Sequence, residues 1–511
     1  MTVVLQMLQF VCNVEKKRSM GIVIRQSIKG TVINYIGAFI GFLTTFFIQT
    51  RFLSAEEIGL LSVIYEAGMF VTALAMLGTN SSAVRFFPFF KGKGKNNNGF
   101  FFYLLLFPFI GCIVFIPLYI ILHTPVSNYF SKNSALFIDY YNWIIPLILF
   151  LTYWLIFETY AQLQLRIAIP KFIREIGLRV FLLVLYLLYG FNILDLNGLV
   201  LGYIGVYGLC AIWCFWYISK IGTVSLRHNS ADIDKPLRWQ VAKYTAYLII
   251  GAIGGTIVGR LDLFMVSAQL GLDYAGVYRI AFYIVAIIGI PTQSISTIAG
   301  PVASEMLSKE NFAGANILYQ KVALHQFVAG SLIFLFIWIN IDNIFSIIPN
   351  GEVYKAGKWV VFFMSLAKLV EVTLIFGGTL VSYSKYYYWG LYFTFFITAI
   401  TIVSNNLLIP IWGMVGAAIA TMLTTLLTYG VQQLLIFWKI KGNPYTFALL
   451  KQVGILAVLY GINCLLPTVT NPWFDCIYRS IILGGLALIL LYIFRVSEEM
   501  NDLIKSVLRI K

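Results

Sequence analysis

Long apolar segments follow one another along nearly the whole of this 511-residue chain, and they restrict its fold more than any other feature. A run of 18 or more largely apolar residues is long enough to cross a bilayer as a helix. Only 11% of the residues are charged, whereas an ordinary soluble domain carries about 25%. The sequence therefore predicts an all-α polytopic membrane protein.

The apolar runs and the polar breaks between them predict about fourteen transmembrane helices. The predicted spans are residues 30–50, 57–80, 100–122, 141–162, 174–190, 197–218, 240–266, 274–300, 322–347, 357–382, 388–409, 413–438, 446–467 and 474–494.

A short pattern of leucine, an acid and glycine occurs twice, about 217 residues apart, each time in a polar break between two apolar runs. The copies are residues 53–59 and 270–276. Duplicated helix bundles are a common design among membrane transporters. Because each copy then contains six spans, an even number, both bundles have the same orientation. We therefore expect two parallel six-helix bundles followed by two further helices.

This organisation predicts the domain boundaries. Residues 20–219 form the first bundle, 220–239 a polar cytoplasmic linker, and 240–438 the second bundle. Residues 439–511 supply two further transmembrane helices and a cytoplasmic tail. Residues 1–19 carry their basic cluster after the apolar stretch, the reverse of a signal peptide, and are interpreted as a non-native or dispensable extension.

The basic residues are concentrated in alternate connections between the spans. Residues 85–95 and 166–179 are rich in lysine and arginine, whereas residues 191–197 and 405–413 contain neither. This is the positive-inside pattern, and it places both termini in the cytoplasm. It also accounts for the formal net charge of +15 without nucleic acid, which we do not expect as a partner.

Enzymatic chemistry has little support in this sequence. The three histidines form no ligand cluster, and Cys210 and Cys214 lack the spacing of a metal or redox motif. A nucleotide-binding Gly-Lys-Ser/Thr motif is absent from the sequence. No predicted outer loop is large enough for the acceptor-binding domain of a membrane polymerase or ligase. We therefore expect no enzyme activity, no cofactor and no metal site.

Three segments carry a resemblance to a known group of proteins: GTVINY at residues 30–35, RFLSAEEIG at 51–59 and RFFP at 85–88. They resemble the polysaccharide exporters of the multidrug/oligosaccharidyl-lipid/polysaccharide flippase superfamily, and more narrowly the Wzx-type flippases of O-antigen or exopolysaccharide units. The six-plus-six-plus-two layout extends the resemblance over essentially the whole chain.

The resemblance implies two bundles in a V around a central cavity, in the inner membrane of a bacterial cell. By alternating access, the protein would move polyprenyl-diphosphate-linked oligosaccharide from the cytoplasmic to the outer leaflet. A lipid II flippase and a cation-coupled multidrug antiporter of the same superfamily are the alternatives. Against the antiporter, the first span contains no acid, and the candidate charges near the expected cavity are more cationic than anionic. Lipid-linked oligosaccharide and membrane lipids are the expected partners of a monomer, with a glycan polymerase as a candidate partner protein.

Charged residues inside the spans mark the candidate site, because a charge in the bilayer needs a cavity or a partner. Arginine offers a planar fork that matches phosphate oxygens. The predicted diphosphate-binding residues are Arg279, Arg51 and Arg260. The resemblance to lipid II flippases supports the first two. Arg51 and Arg260 are alternatively interface arginines.

Glu66, near the middle of the second span, is the candidate for ion coupling. Its alternative role is that of a structural partner for an arginine such as Arg279. Lys368 and Glu371 lie three residues apart on one helix and are expected to pair with each other.

Overall fold

The computed structural model of the protein describes residues 32–90, 99–221, 224, 260–386 and 388–502. The extension predicted at 1–19 and nearly all of the linker predicted at 220–239 lie outside these residues. Chain contacts divide the molecule into two compact units, one spanning Lys16–Arg279 and the other containing Ile280–Lys511. The predicted domain boundaries therefore stay predictions.

The first unit is built from helices throughout its described residues. Residues 260–270 are helical, and the helix Leu272–Ala286 begins in this unit. The helices before them are Val32–Phe52, Ala55–Ala75, Thr79–Phe90, Phe100–Ile121, His123–Phe130, Ala135–Asp139, Ile144–Leu163, Ala168–Phe172, Leu178–Gly190 and Leu196–Ile221.

The second unit continues in the same way. A 3-10 turn at Ile287–Gly289 joins the helix Leu272–Ala286 to the next one. The helices that follow are Ile290–Ser308, Phe312–Ile339, Ile341–Ile347, Gly351–Tyr354, Lys358–Tyr383, Trp389–Lys439, Phe447–Leu465 and Pro472–Ile493.

Eleven helices of the described residues are long and apolar enough to cross a membrane. The predicted class, an all-α membrane protein with many spans, is confirmed. The helix Trp389–Lys439 contains two predicted spans and is broken at Gly413 (φ 59°, ψ −140°), a conformation open to glycine. The fifth predicted span begins with a π turn at Ile173–Gly177, which the helix Leu178–Gly190 follows, and the seventh is described only from Arg260 onward.

Within the first unit, the helix Ala55–Ala75 packs against Phe100–Ile121 and Ile144–Leu163. Glycines allow the close approach: a Cβ on Gly111 would lie 2.0 Å from the Ala75 carbonyl oxygen. The Thr72 hydroxyl donates to the Ile148 carbonyl oxygen at 3.3 Å. Helix Ala55–Ala75 is consequently buried over most of its length.

In the second unit, the helix Phe312–Ile339 contributes to two apolar cores. Around Tyr319 it packs with residues of Lys358–Tyr383 and Trp389–Lys439. Around Val328 it packs with residues of the last two long helices. The Tyr319 hydroxyl also donates to Gln433 Oε1 at 2.9 Å. Within this unit, the two C-terminal helices therefore share an apolar core with Phe312–Ile339.

Candidate functional site

The helix Ala55–Ala75, called here the Glu66 helix, begins at the first copy of the repeated pattern. The Ser54 hydroxyl accepts the Glu57 backbone N–H at 3.2 Å, and a Glu57 carboxylate oxygen accepts the Ser54 N–H at 2.8 Å. This reciprocal capping box satisfies backbone donors that a helix start leaves open. Glu56 lies exposed in the same first turn, where an acid favours the helix dipole.

The helix Leu272–Ala286, called here the Arg279 helix, begins at the second copy. Gly271 precedes it with a φ of 122°, which favours glycine. The loop between the helices His123–Phe130 and Ala135–Asp139 caps the carboxyl end of the helical residues 260–270. There Asn133 Nδ2 donates to the Ala268 and Gln269 carbonyl oxygens at 3.1 and 2.8 Å, and Ser134 Oγ donates to the Ser267 carbonyl at 2.6 Å.

The two repeated patterns are in direct contact with each other. A Cβ added to Gly59 would lie 2.0 Å from the Leu272 carbonyl oxygen, and one added to Gly276 would lie 1.9 Å from the Ala55 carbonyl oxygen. The contact is reciprocal: the glycine of each copy lies on the first turn of the other helix. The glycines therefore set the closest approach of the Glu66 helix and the Arg279 helix.

Helix periodicity places the charged residues on the same helix faces as these two glycines. Glu66 lies seven residues after Gly59, two helical turns, so both occupy nearly the same face. Arg279 lies three residues after Gly276 and also shares its face. Since the two helices are closest at the glycines, Glu66 and Arg279 follow on the facing sides.

Glu66 accepts hydrogen bonds from two arginines, one on each carboxylate oxygen. Arg279 Nη1 donates to Oε1 at 2.9 Å, and Arg260 Nη1 donates to Oε2. We call these three residues the Glu66 cluster. Its side chains are 8% exposed at Glu66, 14% at Arg279 and 20% at Arg260. The cluster is therefore largely removed from solvent.

The Glu66 cluster carries a formal charge of +1, because two guanidinium groups face one carboxylate. A charge removed from water needs a partner, and the three groups provide partners for one another. Arginine cannot lose its proton at any accessible pH, so the excess positive charge is permanent. The arrangement can hold an anion by charge-assisted hydrogen bonds.

An aromatic group lies beside the cluster. Tyr65, next to Glu66 in the chain, lies within electrostatic reach of Arg260. Its ring stacks on Tyr207 at 5.6 Å between centroids, and the Tyr203 and Tyr207 hydroxyls are 3.2 Å apart. These tyrosines were not predicted from the sequence. The one-turn spacing of Tyr203 and Tyr207 is the only signal that could have found them.

Comparison with known proteins gives one curated relative and several solved structures. No family model matches the chain. The probable low-salt glycan biosynthesis flippase Agl15 of Haloferax volcanii is 24% identical over 212 residues. That match covers 41% of this chain and 43% of Agl15, so the chain spans less than half of the relative's length.

The lipid II flippase MurJ, in an inward closed conformation, matches 93% of this chain with all of its own chain, at a TM-score of 0.71 and 14% identity. An inward-facing MATE multidrug transporter of the MOP superfamily matches 79% of this chain with 94% of its own chain, at a TM-score of 0.60 and 12% identity. The chain has the fold of MurJ and the MATE transporters. With the Agl15 match, this confirms the predicted resemblance to a flippase-type family.

On this MurJ-like fold, the structure brings together three of the four predicted site residues. Arg279 and Arg260 meet on Glu66, as described above. Arg51 is exposed at the end of the first helix, with its guanidinium carbon 5.7 Å from the Phe52 ring centroid. In the described part of the chain, no hydrogen bond or ion pair joins Arg51 to the Glu66 cluster. The roles predicted for all four residues stay predictions.

Other charges in the MurJ-like helices are paired locally. Lys368 Nζ lies 2.6 Å from Glu371 Oε1, which confirms the predicted pair. A more deeply buried pair was not predicted from the sequence: Arg479 Nε donates to the Asp475 carboxylate at 2.8 Å, and both side chains are at most 7% exposed. The signal was present, because an acid and an arginine four residues apart share a helix face.

Proposed function

We propose that this protein is a flippase that moves polyprenyl-diphosphate-linked oligosaccharide from the cytoplasmic to the outer leaflet of the inner membrane by alternating access. The observation that carries the proposal is the meeting of Arg260 and Arg279 on one carboxylate within apolar helices. The fold match to MurJ and the glycan-flippase relative Agl15 support it. Such a protein is a membrane transporter and needs no catalytic group of its own.

The chemistry of the head group fits the two arginines. A diphosphate that links a lipid to a sugar carries about two negative charges, and each guanidinium presents a fork of N–H donors to such oxygens. Arg260 and Arg279 are proposed to bind it, with Arg51 contributing at the end of the first helix.

A lipid II flippase is the second candidate, because MurJ matches over its whole chain. The arginine pair suits its diphosphate equally well. Rescue of cells depleted of their own lipid II flippase would favour this candidate. A multidrug antiporter, which the MATE match raises, suits the cluster less well, because its net charge of +1 disfavours cationic drugs.

Glu66 was predicted to couple transport to an ion gradient, and that role stays a proposal. Its two arginine partners support the alternative, in which the carboxylate balances their charge. Transport by Glu66→Gln that no longer depends on a proton or sodium gradient would support coupling. Transport by Glu66→Gln that still depends on the gradient would refute the coupling role.

The test of the proposed function uses cells that lack the protein and follows lipid-linked oligosaccharide and finished surface glycan together. We expect surface glycan to be lost while lipid-linked units accumulate on the cytoplasmic leaflet. Arg279→Ala should fail to restore the glycan at normal protein level. The matched control Arg166→Ala removes an exposed arginine of the same unit and should restore it. Normal glycan in the deleted strain would refute the proposal.

A further inference from the structure

The Glu66 carboxylate occupies the position that an anionic ligand of the two arginines would take. Its oxygens are divided between them, Oε1 with Arg279 and Oε2 with Arg260. We propose that Glu66 is a built-in substitute for the substrate's diphosphate: it holds the arginine pair in the absence of substrate, and the diphosphate displaces it. This inference rests on the proposed function and adds a competitor inside the binding site.

Geometry makes the two anions competitors. The donors that face Glu66 are the Nη1 groups of both arginines, so a phosphate bound in the same place must take over those hydrogen bonds. The cluster is largely buried, and two anions side by side in apolar surroundings repel each other strongly. Binding of the diphosphate therefore requires the carboxylate to leave.

Charge balance points the same way. With Glu66 ionised, the cluster carries +1, and a diphosphate of about −2 would leave an uncompensated negative charge. With residue 66 neutral, two guanidinium groups would balance that diphosphate. A carboxylate in this position thus weakens binding, and it also supplies the group that retakes the arginines when the substrate leaves.

A purely structural carboxylate predicts a different response. If Glu66 only stabilised the buried arginines, its neutral replacement would lower stability and disorder the arginine pair, so the affinity for anions would fall. As a competitor, the same replacement increases affinity and slows release. Affinity and turnover would then change in opposite directions, which loss of structure cannot produce.

The experiment measures binding of inorganic pyrophosphate to the purified full-length protein in lipid nanodiscs by titration calorimetry. Glu66→Gln should bind about tenfold more tightly than the unsubstituted protein, or better, because a charged hydrogen-bonding competitor is removed. Glu66→Asp keeps the charge on a shorter side chain and should fall between the two. Adding Arg279→Gln to Glu66→Gln should abolish the gain.

Transport of lipid-linked oligosaccharide into the outer leaflet is measured on the same variants, and Glu66→Gln should turn over more slowly. A pyrophosphate affinity of Glu66→Gln no higher than that of the unsubstituted protein, or binding by neither, would overturn the inference. If the unsubstituted protein still flips its substrate, the proposed function survives that result. If Glu66→Gln does not fold, Glu66→Asp serves as the test. A pyrophosphate affinity of Glu66→Asp no higher than that of the unsubstituted protein would overturn the inference.

Discussion

Replacement of Gly276 by alanine should separate the two helices that carry the Glu66 cluster. The new Cβ would lie 1.9 Å from the Ala55 carbonyl oxygen, whereas real Cβ contacts essentially never fall below 3.0 Å. The helices must therefore separate by about 1.1 Å at this point. The opposing atom belongs to the backbone of a capped helix, so it cannot rotate away as a side chain would.

The size of the effect follows from two opposing contributions. Overpacking a well-packed contact costs about 1–3 kcal/mol, and a backbone neighbour favours the upper end. Alanine has a better helix propensity than glycine by about 1 kcal/mol. We therefore expect a net loss of about 2 kcal/mol, roughly a thirty-fold change in the folded-to-unfolded ratio.

Gly205→Ala is the matched control, because Gly205 lies in the helix Leu196–Ile221 and its added Cβ would meet no atom within 4 Å beyond the adjacent backbone of that helix. Only the propensity gain applies there, so this variant should equal or exceed the unsubstituted protein in stability. The measurement is thermal unfolding in nanodiscs at fixed lipid composition, with surface glycan followed in cells that carry each variant.

The reciprocal contact gives a stricter test. Gly59→Ala meets the Leu272 carbonyl oxygen at 2.0 Å and should cost about as much as Gly276→Ala. Once one substitution has separated the helices, the second meets less resistance, so the double variant should lose clearly less than the sum of the singles. Full additivity, or a Gly276→Ala protein as stable as Gly205→Ala, would refute the crossing geometry.

Three further outcomes are expected. Arg279→Lys should retain charge but lose the fork, and transport measured in vesicles should fall at least about tenfold with protein level unchanged. Asp475→Leu should lower stability by about 3–5 kcal/mol, because it leaves Arg479 buried without its carboxylate. Thermal unfolding of this variant is compared with that of Asp475→Leu/Arg479→Leu, which should recover most of the loss. Partial burial raises the pKa of Glu499, but hydrogen bonds from Lys321 and Ser497 outweigh it and lower the pKa from 4.5 to about 2. Because the pKa of Glu499 is lower in the folded state, its ionised form stabilises the fold, by less than about 1 kcal/mol at a solvent-screened pair. This contribution should be present above pH 4.5 and lost as the pH falls toward 2. Glu499→Gln should remove that part of the pH dependence of unfolding.

The long helices could be predicted from the sequence because a bilayer imposes their length and composition. The predicted span 100–122 is the helix Phe100–Ile121, and the predicted span 474–494 is Pro472–Ile493. The break predicted between 409 and 413 is confirmed at Gly413. Apolar length and glycine conformation are local properties, so no knowledge of packing was needed.

The short helices between the spans could not be predicted in the same way. His123–Phe130 and Ile341–Ile347 are too short to show a membrane pattern, and they follow directly on long helices. The π turn at Ile173–Gly177 lies where Gly37 of the first helix closely approaches the Glu175 backbone. Such features depend on tertiary contacts, which hydropathy does not record.

The site was predictable as a set of charges and not as a set of pairs. Glu66 was selected because it lies in the middle of an apolar helix, and Arg279 was one of its suggested partners. Arg260 could not be assigned to Glu66 by spacing, because 194 residues separate them. The contact of the repeated patterns at Gly59 and Gly276 shows why Glu66 and Arg279 meet, although they are far apart in the sequence.

Neither charge at the helix crossing has a counterpart in the other copy of the repeat. The offset of 217 residues between Gly59 and Gly276 relates Glu66 to Tyr283 and Arg279 to Ser62. Ser62 donates its hydroxyl to the Ile58 carbonyl at 2.7 Å within its own helix, so this position adds no charge. The two repeated patterns therefore meet through similar glycine contacts but carry different charges on the facing sides. If anion binding requires this asymmetry, exchanging the two residues in Glu66→Arg/Arg279→Glu should keep the ion pair and still change the surroundings of Arg260 and Tyr65. Folding should then persist while transport is lost, and retention of transport by that exchange would show that the charge balance alone is sufficient.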